Sequence, residues 1–148
     1  MNREYLNVIL TDSDENNHTS FKKIFQDLKI GIKLHTFYNG EDLMNYLNSE
    51  AALVPEILFM SYDIPQKDSL ECLVEIKSNF KFDGMITTIY SKYLSSEEEE
   101  EVFVKEANVF MKLPDNYKDM KKSLTEIITI NWQYHTSGLN KNNFIMKV

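Results

Sequence analysis

Residues 57 to 77 read ILFMSYDIPQKDSLECLVEIK, and this stretch decides the fold. Its first four residues, Ile57 to Met60, are apolar without alternation, which is typical of a short strand buried on both faces of a parallel sheet. A loop that contains Pro65 comes next, and Leu70 and Leu73 then recur at the spacing of one helix face. The stretch therefore predicts a buried strand, a loop and a helix in immediate succession.

The same unit of a short apolar strand followed by an amphipathic helix occurs five times along the chain. Ser95 and Ser96 show how one of these helices begins, since each has a glutamate three residues later, the spacing of a capping box. The predicted strands are residues 5–11, 32–38, 57–60, 85–90 and 109–111. Buried strands that alternate with helices predict a doubly wound α/β domain, in which helices cover both faces of a parallel sheet.

The composition narrows the class of protein. A chain of 148 residues has the length of one domain, which we place in residues 1–132, with a polar C-terminal tail over 133–148. The net charge of −7 argues against a nucleic-acid-binding surface.

No apolar run approaches the roughly 20 residues that span a membrane, and the first residues lack the pattern of a signal peptide. We therefore expect a cytoplasmic protein without a membrane segment, and Cys72, the single cysteine, excludes an intramolecular disulfide.

The residues that follow each strand are the candidates for function. In a parallel α/β sheet, ligands bind beyond the carboxyl ends of the strands, where the strand order reverses. The candidates at this edge are Asp12–Asp14, Ser61–Asp63, Ser91–Lys92 and Lys112–Pro114.

Three segments carry a resemblance to a known family. They are NGEDLMNYL (residues 39–47), IPQKDSLECLVEIK (64–77) and KEANVFMKLP (105–114). Together they resemble the receiver domain of two-component response regulators, especially stand-alone regulators of the Bacteroidetes type. The resemblance covers residues 5 to 132. It implies a flavodoxin-like sheet of five parallel strands in the order 2-1-3-4-5.

The resemblance also implies a phosphorylation site, and this chain departs from it. In the family, an aspartate after the third strand accepts the phosphoryl group, and two acids after the first strand hold Mg²⁺. Ser61, four positions before Pro65, stands where that aspartate is expected. The resemblance places the acid pair at Asp12 and Ser13, so one of the two acids is missing and Asp14 is displaced by one position. The family's pocket also has a hydroxyl after the fourth strand, which is kept here as Ser91, and a lysine after the fifth strand, where this chain has Leu113.

These departures predict a degenerate receiver that has no catalytic residue and no aspartyl phosphorylation. A serine hydroxyl is a weak nucleophile without an adjacent base, and the pocket has lost carboxylates that a metal would need. Asp12 and Asp14 are the only candidates for a weakly held divalent ion, and we favour the alternative that they cap and stabilise the start of a helix. We therefore expect neither a metal nor another cofactor.

The leading hypothesis is a receiver-like signalling module of a two-component phosphorelay, which is not an enzyme and works by contact with a histidine kinase or another signalling protein. By resemblance, its interaction surface is formed by the fourth helix, fifth strand and fifth helix, with Tyr93, Phe103, Phe110 and Lys112 as candidates. One alternative is a conventional phospho-accepting regulator that uses Mg²⁺ with atypical residues. The other is a small-molecule binder that reuses the crevice, although the chain has only four glycines and lacks a glycine-rich phosphate loop.

Overall fold

The computed structural model describes residues 5–137 and 145–148, which form a parallel sheet flanked by helices. The strands are β1 (Leu6–Thr11), β2 (Ile32–Phe37), β3 (Ile57–Ser61), β4 (Ile86–Ser91), β5 (Val109–Lys112) and β6 (Met146–Lys147). The helices are α1 (Glu15–Asp27), α2 (Gly40–Leu47), α3 (Ser69–Lys77), α4 (Ser96–Val104) and α5 (Tyr117–Ser137), with a short 3-10 helix at Phe80–Phe82.

The strand order is β2-β1-β3-β4-β5-β6, and every neighbouring pair is parallel. This confirms the predicted doubly wound, flavodoxin-like fold and the order of its first five strands. The predicted count of five strands needs a correction, because β6 adds a sixth strand beside β5. β6 has two residues and lies at the end of the short apolar run of residues 144–146, which the sequence analysis had included in a polar tail.

Two hydrophobic cores cover the two faces of the sheet. One core contains Phe21 of α1, Phe59 of β3 and Leu124 of α5, all fully buried. The other contains Leu43 of α2 and Leu73 of α3. Because both faces are covered, the inner strands are apolar on both sides, as their continuous sequence pattern predicts.

Side-chain caps fix where the helices start, and so position the loops at the carboxyl edge of the sheet. Asp14, Asn39 and Asp68 each accept a backbone N–H from the first turn of α1, α2 and α3. At α4, Ser95 forms the predicted capping box with Glu98: the Ser95 Oγ accepts from Glu98 N at 3.1 Å, and Glu98 Oε1 accepts from Ser95 N at 3.0 Å.

The end of the sequence differs from the predicted tail. Helix α5 does not stop at 132 but continues through Ser137, with the hydroxyl of Thr136 bonded to the carbonyl of Trp132 at 2.9 Å. Polar residues on the exposed side of a helix do not end it, and no glycine or proline occurs between Trp132 and Gly138. Residues 145–148 lie against the sheet edge, whereas 138–144 of the predicted tail lie outside the described residues.

Helix α5 is 21 residues long, but it is amphipathic rather than apolar all round. Met120, Leu124 and Ile128 lie in the core, whereas Lys118 and Lys122 are on its outer side. Within residues 5–137 and 145–148, no helix has both the length and the apolar character needed to cross a bilayer.

The backbone of Glu106, just after the end of α4, has a strained conformation, so a substitution at this position is expected to stabilise the protein. Glu106 has φ of 72°, and its N–H bonds to Phe103 O while Ala107 N bonds to Val102 O, the two bonds of a Schellman ending. This left-handed position favours glycine, so Glu106→Gly is expected to raise the free energy of unfolding by about 1 kcal/mol. Chemical denaturation measures the change. Glu106→Gln, which removes the charge but keeps the strain, is the control, and an equal gain in that variant would contradict the explanation.

Candidate functional site

The carboxyl ends of β1, β3, β4 and β5 meet at one edge of the sheet, as predicted. Backbone hydrogen bonds continue the sheet past the regular strands, from Tyr62 N to Tyr90 O and from Leu113 N to Ser91 O, both at 2.9 Å. These bonds fix the order and spacing of the predicted site segments. The segments at this edge, where a crevice was predicted, are therefore connected by the sheet rather than independent loops.

Asp12 is the centre of the crevice, and its carboxylate is already occupied by protein donors. The side chain is buried, with 3% of its surface exposed. Its Oδ1 accepts from Asp14 N at 2.8 Å, and its Oδ2 accepts from the Asn17 amide at 2.9 Å and from the Tyr90 hydroxyl at 2.6 Å. Three donors satisfy most of the acceptor capacity of a carboxylate, so Asp12 would have to give up existing bonds to bind a metal ion.

Tyr90 is the residue that the sequence analysis missed. It is the penultimate residue of β4, its register partner on β3 is Ser61, and its side chain is 1% exposed. The ring packs against Phe21, with 5.2 Å between the ring centroids. Burial, together with the nearby Asp12 carboxylate, raises the pKa of Tyr90 well above its ordinary value, so the phenol stays protonated and donates to Asp12. A large aromatic side chain thus stands beside Ser61, where the family would place a phosphoryl group.

A sequence signal for Tyr90 did exist. A tyrosine near the end of a buried strand has a hydroxyl that needs an acceptor. A carboxylate at the same edge of the sheet could supply it, and Asp12 was one of the acids that the sequence analysis placed there. The sequence thus offered both members of the pair, but the register between the strands decided that they meet.

The two serines of the predicted pocket are not brought together. Ser61 is half-buried at the end of β3, and within the described residues its hydroxyl makes no hydrogen bond. Ser91 follows Tyr90 on β4, so its side chain points to the opposite face of the sheet from Tyr90 and Ser61. The Ser91 Oγ instead accepts a hydrogen bond from Tyr93 N at 3.3 Å. The Ser91 side chain therefore stabilises the loop after β4 instead of contributing to the predicted pocket.

The fifth strand brings no positive charge to the crevice. Leu113 is 5% exposed and packs in the same core as Tyr90. Lys112 is exposed, and it lies on the other face because neighbouring strand residues alternate. The lysine therefore does not replace the one expected at position 113.

The remaining two predicted residues, Ser13 and Asp14, lie at the surface. Both are exposed, and Asp14 is the N-cap of α1, where its Oδ1 accepts from Asn16 N at 2.8 Å. In the portion of the chain that is described, no three His, Cys, Asp or Glu side chains are grouped as metal ligands. The geometry of Asp14 corresponds to the capping interpretation of this residue.

The His18 side chain contacts the backbone of the loop that contains Asp12. Its Nε2 lies 2.6 Å from the backbone oxygen of Asp12, so this nitrogen carries the proton and donates to the carbonyl. The imidazole also stacks on Tyr38, with 4.3 Å between ring centroids and 9° between the planes, and the Tyr38 hydroxyl donates to Glu15 at 2.6 Å. These contacts hold the loop backbone, as the three donors hold the Asp12 carboxylate.

The predicted interaction surface is only partly at the surface. Tyr93 is 82% exposed, Lys112 is exposed and Phe103 is half-buried. Phe110, however, is 3% exposed and belongs to the core with Val102, so its assignment to a contact surface was wrong. It lies on an inner strand, between β4 and β6, and its ring points under α4 rather than outward.

Comparison with known proteins identifies the class of fold. No protein-family model matches the sequence, and no curated protein matches it. Among solved structures, the neighbours are receiver domains of response regulators, so the chain has the receiver fold.

Three of these structures illustrate the likeness. The phosphorylated cyanobacterial phytochrome response regulator RcpA has a TM-score of 0.80 and 16% identity over 92% of this chain and 97% of its own. The Mn²⁺-bound response regulator Rcp1 has a TM-score of 0.77 and 18% identity over 84% and 92%. The chemotaxis response regulator CheY4 of Vibrio cholerae has a TM-score of 0.67 and 13% identity over 84% and 99%.

Proposed function

We propose that this protein is a receiver-like signalling module that acts through contacts with other proteins and does not accept a phosphoryl group. The receiver fold supports the signalling role, which we place in a cytoplasmic two-component pathway. A histidine kinase or another signalling protein is the proposed partner, and no enzymatic step is assigned to the chain.

The hydrogen bond between Tyr90 and Asp12 carries the second half of the proposal. Phosphoryl transfer to a receiver needs an acceptor carboxylate, a metal ion that neutralises charge, and open space for the phosphoryl oxygens. Here the acceptor position is Ser61, the Asp12 carboxylate already accepts from three donors, and Tyr90 is the register partner of Ser61 on β4. RcpA is described as phosphorylated and Rcp1 as Mn²⁺-bound, which are the two states that this crevice disfavours.

The conventional phospho-accepting alternative receives no support from this geometry. A serine acceptor would need a base to take its proton. His18 is engaged with the Asp12 carbonyl, and Asp12 itself is bonded to Tyr90. The alternative of a small molecule in the crevice receives no support either, because Asp12, Tyr90 and Leu113 are buried and leave little side-chain surface for a ligand to contact.

Phosphoryl transfer can be tested on the intact protein. We expect that incubation with Mg²⁺ and a small-molecule phosphodonor such as acetyl phosphate leaves the intact mass unchanged, because no activated acceptor faces the crevice. A competent response regulator, treated in parallel, is the positive control. A Mg²⁺-dependent mass increase of one phosphoryl group, lost in Ser61→Ala, would refute the proposal and establish the conventional alternative.

A further inference from the structure

The outer edge of β5 is occupied by the last four residues of the sequence, Ile145–Val148. This segment runs parallel to β5, with Met146 opposite Val109. Its backbone bonds are Met146 N to Asn108 O at 2.7 Å, Val148 N to Phe110 O at 2.9 Å and Lys112 N to Val148 O at 3.1 Å. The edge therefore recognises an extended strand through its main chain.

The side chains of this segment alternate in chemistry. Met146 and Val148 are both half-buried and pack against the core that contains the buried residues of α5. Lys147 points to the other side, where its ammonium group pairs with the Glu99 carboxylate of α4. The edge thus selects an apolar residue, a basic residue and a second apolar residue in succession.

The segment is held by few interactions. Its strand has two residues, the Lys147 side chain is 66% exposed, and Ile145 is 73% exposed. Short edge elements with little buried surface open at a small cost in free energy compared with the core. When this one opens, the polar groups of β5 on that side lose their partners and become a template for another strand.

We propose that the outer edge of β5 is a docking site for an extended segment of a partner protein with the pattern apolar–basic–apolar, and that residues 145–148 are its built-in competitor. The inference deepens the proposed function, because it rests on a module that works by contact and names the chemistry of that contact. The charge of the partner follows from Glu99 and from the glutamate run of α4, residues 97–101, which favours a basic side chain at the middle position. Main-chain bonds supply the register, as in other cases of strand addition.

Peptide binding to the full-length protein tests the proposal. The probe is a fluorescently labelled peptide that carries residues 145–148, and the comparison is between wild type and the double variant Met146→Asp/Val148→Asp. The double variant keeps the full chain but detaches the competitor. Because a tethered competitor has a high local concentration, the variant should bind the probe at least about tenfold more tightly than wild type in fluorescence anisotropy.

A charge exchange supplies the matched control. A probe with Lys147→Glu should bind the double variant more weakly than the original probe, and adding Glu99→Lys to the protein should reverse that preference. If the double variant does not fold, full-chain Lys147→Glu replaces it. This change turns the ion pair with Glu99 into a repulsion between two carboxylates, so the variant should bind the original probe more tightly than wild type does.

Three results would overturn the inference. They are a folded double variant that binds the probe no better than wild type, probes that bind equally with Lys or Glu, and a concentration-dependent wild-type dimer that the double variant loses. The last result would make a second copy the occupant. Phosphoryl transfer does not enter this measurement, so its outcome is distinguishable from a failure of the proposed function.

Discussion

Substituting four residues, Ser13→Asp, Ser61→Asp, Leu113→Lys and Tyr90→Thr, is expected to produce a protein that binds Mg²⁺ and accepts a phosphoryl group. The first three changes restore the carboxylates and the lysine that the resemblance implies. The fourth removes the phenol beside position 61 and frees the Asp12 Oδ2 from its 2.6 Å bond. Mg²⁺-dependent thermal stabilisation and the intact mass after treatment with acetyl phosphate measure the gain.

The informative control is the triple variant that keeps Tyr90. It has every restored charge, but Tyr90 still fills the crevice, so it is expected neither to bind Mg²⁺ nor to gain mass. It should also be less stable than wild type, because carboxylates brought together without a cation repel each other. If the triple and quadruple variants bind Mg²⁺ equally well, Tyr90 does not close the site and the role assigned to it is wrong.

Gly40→Ala is expected to destabilise the protein by about 3 kcal/mol or more, the upper range for overpacking a core. A Cβ at Gly40 would lie 1.9 Å from the backbone oxygen of Lys67 and 2.9 Å from the Cys72 sulfur. The first of these atoms belongs to the loop between β3 and α3, which is also tied to α2 by the bond from Gly40 N to Pro65 O at 3.3 Å. Backbone cannot rotate away from the added methyl as a side chain could.

Gly84→Ala is the matched control for this prediction. A Cβ at Gly84 meets nothing within 4 Å, so the substitution should change the free energy of unfolding by less than about 0.5 kcal/mol. Urea denaturation of both variants gives the comparison. A Gly40→Ala protein as stable as Gly84→Ala would mean that the β3–α3 loop is not held against α2 as described.

The fold was predictable because its signals are local and repeated. The apolar run of β3, the stripe of α1 and the capping box at Ser95 each follow from the spacing of a few residues, and the structure contains all of them. β6 was not predictable in the same way. Its two residues form a strand because they pair with the edge of β5, and β5 lies too far away in the sequence for a local pattern to indicate this contact.

The site was predictable in outline but not in its chemistry. The strand ends do bring Asp12, Ser61 and Leu113 to one edge. What the spacing did not reveal is which of two adjacent residues on β4 faces Ser61, because that depends on the register between strands. The register places Tyr90 there rather than Ser91, and the same dependence on tertiary packing turned Phe110 inward.

The most direct test of the account is a titration of isotope-labelled wild-type protein with Mg²⁺ and beryllofluoride, a stable mimic of a phosphoryl group, followed through backbone amide signals. We expect no specific shift at Asp12, Ser61 or Ser91 in the wild-type protein, while the quadruple variant shifts at all three under the same conditions. Saturable shifts of these amides in the wild-type protein would contradict this expectation, because they would show that the crevice closed by Tyr90 and Asp12 still accepts a phosphoryl-like ligand.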